Sequence, residues 1–257
     1  MRTFTLLIAA LLLGGCGAPR IDITADYGTL DIGGDLGVAT GPIAGKANVN
    51  SAGLDSDSSV PGATAEFIWG GSHLAVSGFS SGFSGNGIMD ATITSGGNTI
   101  TAGTPVASSM DLAAYSGVYT FDFVPSDLID VGIGLGATYL DMQAQLVDQT
   151  TMTVIEGSQG IPVPVLAARL GTRIWRLDAS LNAQGIALST GSDSLSYYNV
   201  DLMAKFNLIG GDEHLAGSLA LGYRWIGLDA EYDNDEGSKV DGSLDFTGPY
   251  IGLTLSI

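Results

Sequence analysis

The sequence is poor in the residue types that most site chemistry needs. One cysteine, two histidines and nine lysines plus arginines stand against 27 aspartates plus glutamates in 257 residues. A single cysteine cannot build a disulfide scaffold. A net charge of −18 repels a polyanion, which excludes a basic nucleic-acid binder. No Gly-rich phosphate loop of the Walker type is present. After residue 16 no apolar run approaches the ~20 residues of a membrane-crossing helix. What is plentiful is apolar side chain, at 45% of residues, and glycine, at 38 residues, while only 14% of residues are charged. That hydrophobicity excludes an intrinsically disordered chain. The length suits one large β-domain or two small ones.

The N-terminus reads as a targeting segment. Arg2 precedes an apolar run from Thr5 to Leu13 that ends in Leu13-Gly14-Gly15-Cys16. The run is too short to span a bilayer and fits the core of a secretory signal. Small residues before a lone cysteine resemble a bacterial lipobox, in which the cysteine is lipidated and becomes the new N-terminus. The expected organisation is a lipoprotein signal peptide over 1–15, a lipid-anchored linker over 16–19 and one domain over 20–257.

The rest of the chain alternates apolar and polar residues with a period of two, the signature of strands with two different faces. Leu177, Ala179, Leu181 and Ala183 alternate with Asp178, Ser180, Asn182 and Gln184. Tyr198, Val200, Leu202, Ala204 and Phe206 alternate with Asn199, Asp201, Met203 and Lys205. Ten such segments are read, over 20–30, 62–69, 73–83, 110–123, 130–145, 161–173, 176–188, 196–208, 214–232 and 240–257. Short turns near 70–72, 124–129, 174–175 and 209–213 alternate with long loops near 31–61, 84–109, 146–160, 189–195 and 233–239. This layout predicts a closed antiparallel up-and-down transmembrane β-barrel with its short turns and both termini on the periplasmic side. Alternation slips after Gly78 within 73–109, and a β-bulge is one way to account for it.

Two further patterns follow from that architecture. Trp69, Phe123, Trp175 and Phe206 fall at the turn ends of strands, and Tyr139, Tyr198, Tyr223 and Trp225 towards the loop ends. These are the expected aromatic girdles of a lipid-facing wall. If the apolar faces meet lipid, the interior receives Glu66, Asp122, Arg169, Arg173, Asp178, Asp201, Lys205 and Arg224. Each needs a partner there, because an unpaired buried charge is costly. An ion-pair network filling the lumen is weighed above a polar path for solutes.

Little else invites catalysis. His73 and His214 fall at the predicted periplasmic turns and are read as solvated residues. Hydrolytic barrels generally pair such a histidine with a Ser or Asp at the outer rim. Asp55-Ser56-Asp57 and Asp233-Asn234-Asp235-Glu236-Gly237 lack full cation-loop spacing and are read as solvated acidic loops.

From about Met110 onward the chain resembles proteobacterial outer-membrane β-barrel proteins of uncharacterised function. The residues carrying the likeness are the Tyr115–Tyr119 strand, Asp130-Val131-Gly132 leading to Tyr139, Gly222-Tyr223-Arg224, and Phe246-Thr247-Gly248-Pro249-Tyr250-Ile251-Gly252. Such proteins usually carry an ordinary signal peptide and often end in Phe; this chain has a lipobox and ends in Ile257. The resemblance implies an outer-membrane barrel and no activity.

The expectation is an all-β outer-membrane barrel of a Gram-negative bacterium, lipidated at Cys16, with a structural or surface-interaction role. A narrow porin-like channel is the alternative, and an outer-membrane hydrolase or a soluble periplasmic lipoprotein domain stands below it. Expected partners are outer-membrane lipids and the barrel-assembly and lipoprotein-processing machinery, with no nucleic acid, cofactor or metal. A folded barrel resists detergent until heated. The protein in the outer-membrane fraction should therefore migrate differently on gels before and after boiling; recovery as a heat-insensitive species in the soluble fraction would exclude the barrel.

Overall fold

A computed structural model describes residues 19–40, 46–54, 58–95, 97–125, 128–191, 193–209, 215–233 and 238–257. Cys16, the signal segment, His214 and the acidic stretches 55–57 and 234–237 lie outside the described residues. The strands in chain order are β1 (Arg20–Thr40), β2 (Ala47–Asn48), β3 (Ser58–Trp69), β4 (Ser72–Ile88), β5 (Ile93–Ser95), β6 (Asn98–Ile100), β7 (Pro105–Pro125), β8 (Ile129–Asp148), β9 (Val154–Ile174), β10 (Leu177–Thr190), β11 (Asp193–Ile209), β12 (Ala216–Asp233) and β13 (Ser238–Ser256). Ten of these are long and form the wall; β2, β5 and β6 are short pieces at the loop end. The wall strands pair antiparallel in chain order, and β13 closes onto β1 from Asp22↔Ser256 to Thr40↔Ser238. The expected ten-stranded closed barrel is thus the observed fold.

Every wall strand changes the side on which it buries apolar residues. On β8, Ile133, Leu135 and Tyr139 face outward and are exposed, over Gly134, Gly136 and Thr138 inside. Beyond Tyr139 the faces exchange: Leu140 is buried inside while Gln143 and Gln145 point out. On β1, Ile23 and Tyr27 are outside and Asp22, Thr24 and Asp26 inside, until Leu30 and Ile32 turn the interior apolar. β12 changes between the outward Trp225 and the buried Ile226, and β11 between Tyr198 and Tyr197. The exchange sits at one height, because Tyr139 lies opposite Tyr115 and Gly185 opposite Tyr198 in the ladders. Below it the outer wall is apolar, as lipid requires. Above it the outer wall is polar and the inside is packed like a soluble core.

This exchange accounts for two departures from the sequence reading. Much of what reads as loop is strand: β1 runs on to Thr40, β4 to Ile88, and β9 starts at Val154. Those stretches stand in water on one side, so their alternation no longer follows the lipid-facing pattern. No bulge lies near Gly78, since β4 keeps unbroken register with β7 from Ser72 to Ile88. What slips there is the face, with Phe79 and Phe83 buried inside and Ser80 exposed. Bulges occur at Asp122/Val124 and Asn207/Ile209 instead.

Prolines open the wall at the same height. The β3–β4 ladder stops at Gly62↔Phe79, where the next pair would need an N–H from Pro61. The β9–β10 ladder stops at Leu166↔Gly185, where the next would need one from Pro164, and the one after from Pro162. Proline has no N–H to give to a ladder. Pro61 lies opposite Tyr27, Pro162 opposite Tyr139 and Pro164 opposite Ala137, so both seams begin within two residues of the upper aromatic level. The closing β1–β13 ladder likewise skips from Gly28↔Tyr250 to Asp31↔Thr247 around Pro249.

The connection between β1 and β3 folds inward over the first seam. Ser58 Oγ takes the place of the ladder, donating to Gly82 O at 2.8 Å and accepting from Gly82 N at 2.9 Å. Higher up, Ser51 O accepts from Ile88 N at 2.9 Å and Ala52 O from Ser108 Oγ at 2.6 Å. Gly85 and Gly87 leave room for this approach, since a Cβ at either would strike the carbonyl oxygen of Gly53 or Ser51. At the β8–β9 turn, Asp148 accepts from the Thr151 hydroxyl at 2.6 Å and the Thr151 and Thr150 N–H groups at 3.0 and 2.7 Å. These bonds hold its carboxyl below the usual range, so the turn keeps them at neutral pH and loses them only in acid.

The change of face makes a positional prediction. In lipid vesicles Leu135→Lys should destabilise the barrel by about 2–4 kcal/mol. Gln143→Lys, on the same face above Tyr139, should stay within about 0.5 kcal/mol of the parent. Equilibrium unfolding measures both, and equal penalties would place the lipid boundary elsewhere.

Candidate functional site in the barrel lumen

The inward positions of the turn half form a charged vestibule of about 350 Å³. Five carboxylates line it (Asp22, Glu66, Asp122, Asp130, Asp178), with four cations (Arg20, Arg169, Arg173, Lys205) and His73 among them. Period-two alternation places each: Asp22 lies opposite Glu66, Gly132 opposite Arg169, and Asp178 opposite both Arg173 and Lys205.

His73 is the hub. Its Nδ1 lies 2.9 Å from Glu66 Oε1 and its Nε2 2.9 Å from Asp122 Oδ2. A neutral imidazole donates through one nitrogen only, so the direction of each contact depends on the tautomer. Arg169 reaches across from β9 to the same group, 3.4 Å from Asp122 Oδ2 and 4.0 Å from Glu66 Oε1. Its Nη1 also stands 2.8 Å from Nδ1 and 2.5 Å from Nε2 of the ring. Beside this cluster Arg20 grips Asp22 with two bonds of 2.7 and 2.5 Å, and Lys205 Nζ lies 3.6 Å from the same carboxylate. Arg173 pairs with Asp178 at 2.9 Å at the rim, where the arginine side chain is 55% exposed.

A second group lies higher, in a narrower space of about 160 Å³. Arg224 Nε donates to Asp201 Oδ2 at 3.1 Å, and its Nη2 is 3.9 Å from Asp26 Oδ2. Tyr250 OH donates to Asp201 Oδ1 at 2.6 Å. The guanidinium stands 5.0 Å from the ring centres of Phe79 and Tyr250, which screens it from water on two sides. Across the lumen Ser116 donates to Gln184 at 3.0 Å, and Thr138 to Ser116 at 3.1 Å. Above that layer the interior is apolar: Leu30, Phe83, Met110, Leu140, Val163, Ile226 and Phe246 are buried together, and Val49 and Leu54 drop into them from the β1–β3 connection. Phe83 and Phe246 meet at 5.9 Å between ring centres. Among the described residues the polar lining of the turn half thus gives way to this apolar cluster.

All eight charged residues expected inside are found on inward positions, six of them in the two buried groups and Arg173 and Asp178 at the mouth. His73 is corrected. It follows the turn immediately, but odd residues of β4 face the lumen and the lumen reaches the turn, so it is buried with two carboxylates rather than solvated. The sequence reading missed Arg20, Asp22, Asp26 and Tyr250. Their signal was present: Asp22-x-Thr24-x-Asp26 alternates with Ile23-x-Ala25-x-Tyr27.

The aromatic residues stand on the outer wall. Trp175 is 83% exposed at the β9–β10 turn, holds a positive φ of 57°, and lies edge-on to Phe206 at 6.5 Å. Trp69 lies 6.3 Å from Tyr119, and Phe123 is exposed at the Asp122/Val124 bulge. Higher up, Tyr223 and Trp225 are 4.5 Å apart, Tyr139 lies opposite Tyr115, and Tyr198 OH donates to Asp245 at 3.1 Å.

No protein-family model matches the sequence, and no curated protein matches it. Among solved structures, the outer membrane protease OmpT from Escherichia coli superposes over 93% of this chain and 97% of its own, with a TM-score of 0.57 at 9% identity. The transport unit of the autotransporter AIDA-I from Escherichia coli covers 99% and 95% of the two chains at 10% identity, with a TM-score of 0.37. Ail of Yersinia pestis covers 94% and 100% at 8% identity, with a TM-score of 0.35. The last two superpose too loosely to carry an argument. The first shows the fold alone: this chain has the fold of an outer-membrane β-barrel.

Removing one member of a buried ion group strands the rest. Arg224→Met leaves Asp26 and Asp201 without their cation and should destabilise the barrel by about 3 kcal/mol. Adding Asp201→Asn should recover part of that loss in the same unfolding assay; no recovery would show that Arg224 acts through its ring contacts alone.

Proposed function

We propose that this chain resides in the outer membrane as a closed barrel that conducts nothing and acts through its acidic loop end, in a structural or surface-interaction role. The observation that carries the reading is the apolar plug: a lumen filled by Phe83, Phe246, Leu140 and their neighbours, with Val49 and Leu54 inserted from above, offers no continuous polar path. Dry apolar cores of this kind exclude water and ions. The vestibule charges are directed at one another, which suits a bracing role for the turn half.

The lipid anchor belongs to the same proposal. A diacylated Cys16 stands four residues before Arg20, where β1 begins at the turn end, so its chains would enter the inner leaflet beside the wall. Lipoprotein-processing and barrel-assembly machinery would then both handle the chain. The reading assigns no catalysis.

Planar-bilayer recording tests it. The purified barrel should give no discrete openings under an applied potential, and Phe83→Ala with Phe246→Ala should raise leak current by hollowing the plug. Regular openings from the parent protein would overturn the closed reading in favour of a narrow channel.

A further inference from the structure

The two seams in the wall differ in what covers them. At β3/β4 the chain's own Ser51–Gly53 turn lies along the free edge of β4 and bonds to it. At β9/β10 nothing among the described residues does the same. Asn98 Nδ2 reaches Val154 O at 3.0 Å, at the top of the edge. Below that contact Glu156, Gly157, Ser158, Gln159 and Gly160 are all exposed.

The direction of this edge follows from the prolines. β9 keeps its ladder with β8 through Pro162 and Pro164, which have no N–H. The bonds to β8 are therefore made by the residues between them, and the even positions face the seam. Leu166, the last to pair with β10, has the same parity. The backbone groups of Glu156, Ser158 and Gly160 accordingly point into the seam. On its far side β10 continues to Thr190 bonded only to β11. Ile161 and Ile186 lie half-buried on the two sides, and Leu188 is 46% exposed beside them.

Two unpaired edges over an apolar floor form a template for one more strand. Charge decides its chemistry. Of the described basic residues of the wall, Arg20, Arg169, Arg173, Lys205 and Arg224 lie in the turn half, and Lys239 of β13 lies at the loop end, with Lys46 in the connection between β1 and β2. Around the loop half stand Asp111, Asp141, Glu156, Asp229 and Asp245.

We propose that the free edge of β9 binds an extended cationic polypeptide segment of a partner protein as an added strand, filling the second seam as the Ser51–Gly53 turn covers the first. This deepens the surface-interaction reading above. It fails separately from it, because a silent barrel that binds no peptide leaves the closed lumen standing.

The full chain folded in detergent is titrated with a fluorescein-labelled decapeptide of alternating Lys and Val, read by anisotropy at low ionic strength, where surface charge is least screened. Saturable binding is expected. Ser158→Pro should weaken it at least tenfold, since the proline removes a seam-facing N–H at the parity the β8 ladder already tolerates. Should that variant fail the boiling-shift test for folding, Glu156→Lys, which keeps the backbone, should weaken binding of the same peptide severalfold. A peptide with proline at its central valines should not bind. Undiminished binding by the folded Ser158→Pro variant, by Glu156→Lys, by the proline peptide or by a Glu–Val counterpart overturns the proposal, as does no binding at all. A dimer of the peptide-free barrel that Ser158→Pro abolishes would assign the edge to a second copy and overturn it too.

Discussion

The structure depends on one change of solvent along its wall. Below the level of Tyr27, Tyr115, Tyr139 and Tyr198 the outside is apolar, and above it the inside is. Side chains of a strand alternate with a period of two, so at each height one face meets the outside and the other the lumen. The chain exchanges the apolar face between adjacent residues, at Tyr139–Leu140, Trp225–Ile226 and Tyr197–Tyr198. No bulge is needed at these points, since two apolar neighbours in sequence already point to opposite sides.

The same level decides where the backbone can be left open. Within hydrocarbon an unpaired N–H or C=O costs several kcal/mol by any reference, on the order of 2–7. Water or headgroups make the cost small. The interruptions at Pro61, Pro162 and Pro249 lie at the upper tyrosines, opposite Tyr27, Tyr139 and Tyr223, and Pro164 lies two residues below, opposite Ala137. In the band below, β13 closes on β1 and the ladders run without a gap at the seams. Charge obeys the complementary rule. Inside the turn half, five carboxylates face four cations and His73, so the buried part of a chain with net charge −18 is nearly balanced.

How far the sequence disclosed this varied with the solvent. In the lipid-spanning half one face had to be uniformly apolar, so the ten strands, the inward charges from Glu66 to Arg224 and the outward aromatics were all legible. In the upper half the outer face is only polar and the inner only partly apolar, and β1 beyond Leu30 and β9 before Ile161 looked like loop. His73 directly follows a turn, yet parity on β4, not nearness to the turn, decides its side. Asp22 and Asp26 are readable by the same parity rule. The seams had a visible signal in prolines inside otherwise regular strands. Which ladder each proline would end depends on which neighbour its missing N–H faces, and that is set by pairing rather than by local sequence.

The two ends of the molecule hold their charges differently. The turn-end ion groups are rigid because each member holds another in a low-dielectric interior, where losing one strands several. The loop-end carboxylates stand mostly in water, where neighbouring like charges cost little each and are screened by salt. Much of the acidic surplus therefore stands in water at the loop end, and most of the described basic residues stand where a lone carboxylate would be most expensive. The proposed added strand would meet a loop end rich in exposed carboxylates, above a half whose charges are paired. The proposed recognition by backbone edge and diffuse charge needs no side-chain pocket, which fits a chain whose plentiful residues are small and apolar and whose reactive ones are few.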